Sequence, residues 1–436
     1  MKFLLFFFIF FSLTIFPDNL LTLPDAIRIA VKNNLGVKIA EEKIKQAYYQ
    51  KKEAKTYFFP QITSSFNYTH LGKNEGMTIP GTPFPPIKFT EDDIYTFTFS
   101  LNQPIFTGGR IKTAYEISKE NFENSKIQYA LEVQNLIFNV KKAYFSILKA
   151  EKFLNTAKKY KELLEKHLKD AKKLFTAGIV TKLDILKTEV AVKQAETGII
   201  EAKNFVKIAK SNLNFILNNP IDKEFEVEDV FEIKEDRKDY EYWRDIALKN
   251  RPEIKSMERV LSICEKKIKL EKSNLYPQIY FFTNYNIEKG KQTSFGKWDK
   301  NWNTGIFLSF NIWDWGRIKD RIKEAESEKK QIEKQLEIVK KAIELEVKNC
   351  YLNLLSAEKK LEKNRKQIEK AEENLRVANL LYKEGMATST DVIGATTSLI
   401  EAKNNYYTSI YEYKIAYSQL EKATGLYTKY EKVGGK

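Results

Sequence analysis

The stretch "YTFTFSLNQPIF" (residues 95–106) leads through Thr107 into "GGRIK" (108–112), and its period and its ending together decide the fold. Tyr95, Phe97, Phe99 and Leu101 fall on one face of an extended chain, and Thr96, Thr98, Ser100 and Asn102 on the other. A segment of about ten residues, apolar on one side and polar on the other, is the signature of a transmembrane β-barrel strand. A soluble sheet over a core would alternate in the same way, but no amphipathic helix is left over to cover the apolar face. Aromatics also crowd the strand ends (Tyr57, Phe58, Phe59, Phe106, Tyr276, Trp313, Trp315), as interfacial girdles do.

The glycines then change the period. Gly108 and Gly109 are expected to form a strand-to-helix corner, and Gly316 to form its counterpart in "WGRIK" (315–319). Beyond the corner, Leu136, Val140, Ala143, Ile147, Ala150 and Leu154 begin a seam that steps by four and three as far as Phe175. That spacing is a coiled-coil seam. No proline interrupts residues 109–175, so a helix of about 100 Å follows at 1.5 Å per residue. Adding 207 to each seam position gives Ile343, Val347, Cys350, Leu354, Ala357 and onward to Tyr382. Cys350 is thereby read as a core thiol.

The whole chain is written twice. "AVKNNLGVKIAEEKIKQAYYQKKEAKTYFFPQI" (30–62) aligns without gaps with "ALKNRPEIKSMERVLSICEKKIKLEKSNLYPQI" (247–279), 217 residues on, and "GGRIK" aligns with "WGRIK", 207 residues on. The difference lies in one connector: "LGKNEGMTIPGTPFPPIKFTEDD" (71–93) against the shorter "EKGKQTSFGKWDK" (288–300). Each copy reads as a helical segment of about 35 residues, two strands, a very long helix, a tight turn and a helix of about 38 residues. The second strand pair is "PQIYFFTNYNI" (277–287) and "NWNTGIFLSFNIW" (301–313); in the latter, Phe307 breaks the polar face. We divide the chain into a signal peptide (1–19), a first repeat (20–218), an acidic linker (219–241), a second repeat (242–426) and a short tail (427–436). The signal peptide rests on one Lys followed by the apolar run Phe3–Phe16, too short to span a bilayer as a helix.

Composition excludes several functions. The net charge of +15 comes from Lys alternating with Glu along helices, not from a compact basic cluster, so nucleic acid is not an expected partner. Two cysteines, Cys264 and Cys350, and two histidines, His70 and His167, offer no ligand spacing. Both histidines are expected on the surface. No P-loop, nucleophile elbow or Rossmann fingerprint is present, so neither a cofactor nor an enzymatic activity is expected. The fold expected is mainly α with a β-barrel portion. Four strands per chain cannot close a barrel, which takes about eight, and an open edge is intolerable in lipid. Three copies would give twelve strands and a coiled-coil tube.

"LNQPIFTGGR" (101–110), "LYKEGMATSTDVIGATTSLIEAKNNYYTSIYEYKIAYSQLEKATG" (381–425) and the in-register duplication together resemble the TolC-type outer membrane efflux proteins across roughly residues 22–426. The resemblance implies a homotrimeric channel-tunnel, with a twelve-stranded barrel in the outer membrane and a helical tunnel in the periplasm. It implies export of drugs, ions or polypeptides together with a periplasmic adaptor and an inner-membrane pump of the RND, ABC or MFS type. It places the linker at the equator of the tunnel.

The tight turns are "GIVTKLD" (178–184) and "GMATSTD" (385–391). Gly178 and Gly385 suit helix C-caps, Thr181 and Thr388 suit N-caps, and Asp184 and Asp391 complete capping boxes. In the resembling family these turns form the periplasmic tip, so the resemblance implies an acidic pore constriction at Asp184 and Asp391. It also makes Ile179, Val180, Met386 and Ala387, read as exposed, candidates for adaptor docking, together with Gly178, Thr181, Gly385 and Thr388. Gly394 stands where the family can carry a second acidic residue, and Ala387 where it can carry a gating Arg. The alternative reading is a secreted coiled-coil scaffold or tether whose four strands form a soluble cap.

Overall fold

The computed structural model describes residues 20–72, 76, 80–83, 86, 88–229, 238–291 and 296–427. The signal-peptide reading of 1–19 lies outside these residues, as do parts of the 71–93 connector, the linker and the tail.

One element order is used twice. The first copy runs α1 (Leu23–Asn33), α2 (Leu35–Thr56), β2 (Gln61–His70), β3 (Asp93–Phe106), α3 (Arg110–Thr176) and α4 (Lys182–Leu217). The second runs α5 (Tyr240–Asn250), α6 (Pro252–Lys272), β5 (Gln278–Lys289), β6 (Asp299–Ser309), α7 (Arg317–Lys383) and α8 (Ser389–Ala423). Helices α3 and α7 are 67 residues each. The short strands β1 (Leu20–Leu21) and β4 (Glu226–Val227) stand outside the repeat and pair in parallel. The hydroxyl of Tyr144 pins that pair, its single hydrogen shared between the carbonyls of Leu21 at 2.9 Å and Glu228 at 2.8 Å.

The first segment of each copy is not one helix of about 35 residues but two, broken at Asn34 and at Arg251, which are 217 residues apart. The break is held by side chains. Asn34 Nδ2 donates to the carbonyl of Ile216 at the end of α4, and its Oδ1 accepts from the amide of Gly36. Arg251 Nη1 donates to the carbonyl of Ala423 at the end of α8, while its guanidinium also pairs with Glu253 and Glu346. Each repeat thus ties its first segment to the C-terminus of its own last helix, satisfying a carbonyl the helix leaves open.

The chain forms two compact units. The helical unit comprises the described residues up to Glu41, within Gln128–Glu253 and from Val339 on. Its core joins Ala26, Ile27 and Ala30 of α1, Ile137, Val140 and Tyr144 of α3, Leu213 and Leu217 of α4, and Ile410 and Tyr411 of α8. Burial of the Ile, Leu and Val side chains among them contributes about 1.5–3 kcal/mol each. The predicted seam supplies buried Leu136, Val140, Ile147, Ala150, Leu164 and Ala171 on α3, and Ile343, Val347, Cys350, Leu354, Ala357, Ala371, Leu375 and Tyr382 on α7.

The second unit, Glu42–Ile127 with Ile254–Ile338, carries the sheet. Its strand order is β2-β3-β5-β6, all antiparallel. The register aligns hydroxyls and amides in rows: Ser65–Thr98–Asn286–Asn301, and Thr63–Ser100–Asn284–Asn303. The first row is linked by side chains, Thr98 Oγ1 donating to Asn286 Oδ1 at 2.8 Å and Asn286 Nδ2 to Asn301 Oδ1 at 3.0 Å. The opposite face carries Phe66 beside Phe97, Tyr68 beside Tyr95, and the exposed Trp302 and Ile306. Among the described residues, β2 and β6 are unpaired edges. Strand β6 ends at Ser309, short of the expected 313, because its last partner is Gln278 and the preceding Pro277 has no amide to extend the ladder.

The two corners differ. Gly108 and Gly109 adopt φ of 59° and 85°. At Gly108 a Cβ would stand 2.5 Å from the carbonyl oxygen of Ser273, so only glycine fits. In the second copy Gly316 has φ 85°, but its predecessor is Trp315, held at φ 57° and 88% exposed. A bulky residue in that region is strained; its ring meets that of Trp313 edge-on at 5.7 Å.

Candidate functional site

The turns between α3 and α4 and between α7 and α8 share their backbone. Gly178 and Gly385 both have φ 72°. The Gly178 and Ile179 amides donate to the carbonyls of Phe175 and Leu174; those of Gly385 and Met386 donate to Tyr382 and Leu381. Each is a Schellman close of the long helix. Three residues later the next helix is capped. Thr181 presents its amide and hydroxyl to Asp184 Oδ2 at 3.1 and 2.7 Å, and the Asp184 amide returns to Thr181 Oγ1. Thr388 does the same to Asp391 Oδ2 at 2.8 and 2.7 Å. Two amides per turn are thereby satisfied, and each carboxylate meets the positive end of its helix.

The surroundings of the two turns are unlike. Ser389, one residue past the second cap, is fully buried, whereas its repeat counterpart Lys182 is exposed. Ser389 Oγ lies 2.8 Å from His167 Nε2 on α3 and 2.7 Å from Thr188 Oγ1 on α4. Lys187 Nζ donates to Thr390 Oγ1 at 3.2 Å. The His167 ring sits 4.7 Å from that of Tyr382. The start of α8 is thus clasped by the first hairpin; the start of α4 has no such clasp among the described residues.

Electrostatics follow this packing. Partial burial pushes the Asp184 carboxyl up. The Thr181 hydroxyl and amide, the Ser389 amide and nearby Lys187 outweigh it and hold the group below its ordinary value. Asp391 is exposed and is held low by the Thr388 hydroxyl and amide. Burial lowers His167, opposed by Asp170 and Asp184. Its Nδ1 is buried without a hydrogen-bond partner among the described residues. Beside it lies a cavity of about 320 Å³ whose wall carries Lys166, Arg376 and Lys383 as well as Asp170.

Two expectations need correction. His167 is not on the surface: at 4% exposure it is an internal polar residue, because its partners Ser389 and Thr188 lie more than 20 residues away along the chain and surround it. His70 is exposed at the end of β2. Of the four apolar docking candidates, Ile179 and Met386 are exposed, at 51% and 71%, but Val180 and Ala387 are half-buried against the core formed by Ala371, Leu375, Tyr382 and Val392. The two turns adjoin, since a Cβ on Gly385 would stand 3.4 Å from Ile179 Cγ2. Burial pushes the Cys350 thiol up to about 11, as suits a packing role. Among the described residues no group of His, Cys, Asp or Glu is arranged to hold a metal, and no helix is long and apolar enough to cross a membrane.

Comparison with known proteins agrees with this architecture. The sequence profile described as outer membrane efflux protein matches residues 26–219 and 243–426. The chain is 20% identical to the alkaline protease secretion protein AprF of Pseudomonas aeruginosa over 415 residues, 93% of this chain and 85% of that one. It is 20% identical to the outer membrane protein TolC of Escherichia coli over 391 residues, 87% and 77% of the two chains. The solved structure of CusC superposes with a TM-score of 0.80 over 92% of each chain, at 17% identity. The chain belongs to the outer membrane efflux protein family, an outer membrane protein with a helical tunnel in the periplasm.

Proposed function

We propose that three copies of this chain form a passive channel, not an enzyme, through which small molecules or polypeptides leave the cell. The sheet carries the argument. It is apolar on one face and lined by hydroxyls and amides on the other, and both its edges are open among the described residues. Three such sheets joined edge to edge make a closed twelve-stranded wall, apolar toward lipid and polar toward a lumen. A periplasmic adaptor and an inner-membrane pump supply the energy and choose the cargo. Residues 20–218 and 242–426 act as the two repeats, joined by the linker 219–241.

At the tip, three copies each of Asp184 and Asp391 ring the entrance and favour cations. Asp391 is the stronger contributor, because it is exposed while Asp184 is half-buried. Ile179 and Met386 offer the apolar contact for the adaptor, framed by Gly178, Thr181, Gly385 and Thr388. The mass of the protein purified in detergent tests the assembly. Three chains per particle are expected; a monomer soluble without detergent would support the scaffold alternative and defeat the channel.

A further inference from the structure

We propose that the polar face of the sheet ends, near the corners, in an aromatic stacking platform that contacts planar aromatic molecules moving through the lumen. The platform is Phe282, flanked by Tyr280 and Phe307. The proposal rests on reading the sheet as a barrel wall.

The register places these rings on the hydroxyl and amide face. Asn102 pairs with Phe282, and Phe282 with Gly305; Pro104 pairs with Tyr280, and Tyr280 with Phe307. Side chains two apart on a strand share a face, so these rows continue the one that carries Ser100, Asn284 and Asn303. Phe307, the exception to the alternation of β6, therefore stands opposite a second aromatic rather than alone.

The ring of Phe282 lies across the neighbouring strand. A Cβ at Gly305 would stand 3.0 Å from Phe282 Cζ and 3.1 Å from Cε1. Glycine at 305 makes room for the ring to lie flat against the wall and turn its π face outward. Tyr280 is fixed at its hydroxyl, which accepts from Arg110 Nη2 at 3.0 Å and donates to Gln278 Oε1 at 2.9 Å.

The fold does not require aromatic residues there. The repeat counterparts of Tyr280 and Phe282 are Thr63 and Ser65, and those of Gly305 and Phe307 are Thr98 and Ser100. One copy has hydroxyls at all four positions; the other has three rings and the glycine that accommodates one of them. Phe307 is 56% exposed, and Tyr280 and Phe282 are half-buried; the ring surface left open to a lumen holds passing flat apolar molecules by offset stacking.

Single-channel currents of the full-length protein in a planar bilayer test this. Ethidium, a monocation with a planar aromatic core, and tetrabutylammonium, an aliphatic monocation of comparable bulk, are added on the barrel side. The aromatic ion is expected to give blockades about three- to tenfold longer, the range that one stacking contact supplies. Phe282→Leu, which keeps bulk without a π face, is expected to erase the difference, and Phe282→Tyr to keep it. Equal blockades in the parent channel, or a difference that survives Phe282→Leu with Phe307→Leu, overturn the platform alone. Absence of any current from the parent protein overturns the barrel reading and the platform with it.

Discussion

The two turns that join α3 to α4 and α7 to α8 carry the same motif, the same φ at glycine and the same capping box, yet only one is embedded. Around Thr388 the chain buries Ser389, His167, Thr188 and Tyr382; around Thr181 the counterparts Lys182 and Phe175 are exposed. Duplication copied the local signals, which act over three or four residues. It did not copy the environment, which depends on which hairpin leans on which. The first hairpin serves as a support, and the second as the element it holds.

The largest test of that difference is at the last turn of each long helix. Tyr382 is 2% exposed and Phe175 is 44% exposed. Tyr382→Ala is expected to destabilise by about 3–5 kcal/mol, as truncation of a buried aromatic does, and Phe175→Ala by less than about 1 kcal/mol. Thermal unfolding of the detergent-purified protein reads both. Equal losses would break the comparison.

Ser389→Val comes next. It removes the partner shared by His167 and Thr188 and is expected to cost about 1–3 kcal/mol for the orphaned groups. Lys182→Val, at the repeat counterpart, is expected to stay within about 0.5 kcal/mol. Thr181→Ala and Thr388→Ala should each cost about 1 kcal/mol, since the caps are local and alike. A large inequality between these two would show that the clasp, not the cap, sets stability at Thr388.

The smallest effect is a pH dependence. His167 is lowered from its ordinary value, so the folded chain binds fewer protons at this site than the unfolded chain near pH 6. Stability is then full above about pH 6.5, the unfolded value, and falls as the pH drops below it. The groups facing the ring are Asp170 on its own helix, Asp184 on α4, Tyr382 and the cavity cations Arg376 and Lys383 on α7, and Ser389 on α8. Asp184 and Asp391 are lowered carboxylates whose contribution is lost only below about pH 4. Between pH 7 and 5 the melting temperature should therefore fall more in the parent than in His167→Asn. Equal falls would remove His167 from the account.

Much of the fold was legible because it is periodic. The alternation of 95–102 and the steps of four and three along α3 and α7 need only neighbouring residues to be read, and the capping boxes span three. The clasp was not legible: Ser389 and His167 are 222 residues apart, and a lone buried histidine has no local signature. Nor was the break at Asn34 and Arg251, which depends on carbonyls of α4 and α8. Trp315 shows the converse. Sequence comparison aligns it with Gly108, but the corner at Gly108 is crowded by Ser273 and Tyr276 while Trp315 is almost fully exposed.

Conductance across a planar bilayer tests the central claim most directly. The reconstituted full-length protein should carry a cation-selective current, with selectivity reduced more by Asp391→Asn than by Asp184→Asn because Asp391 is the exposed carboxylate. Folded, bilayer-inserted protein that carries no current would contradict the channel account.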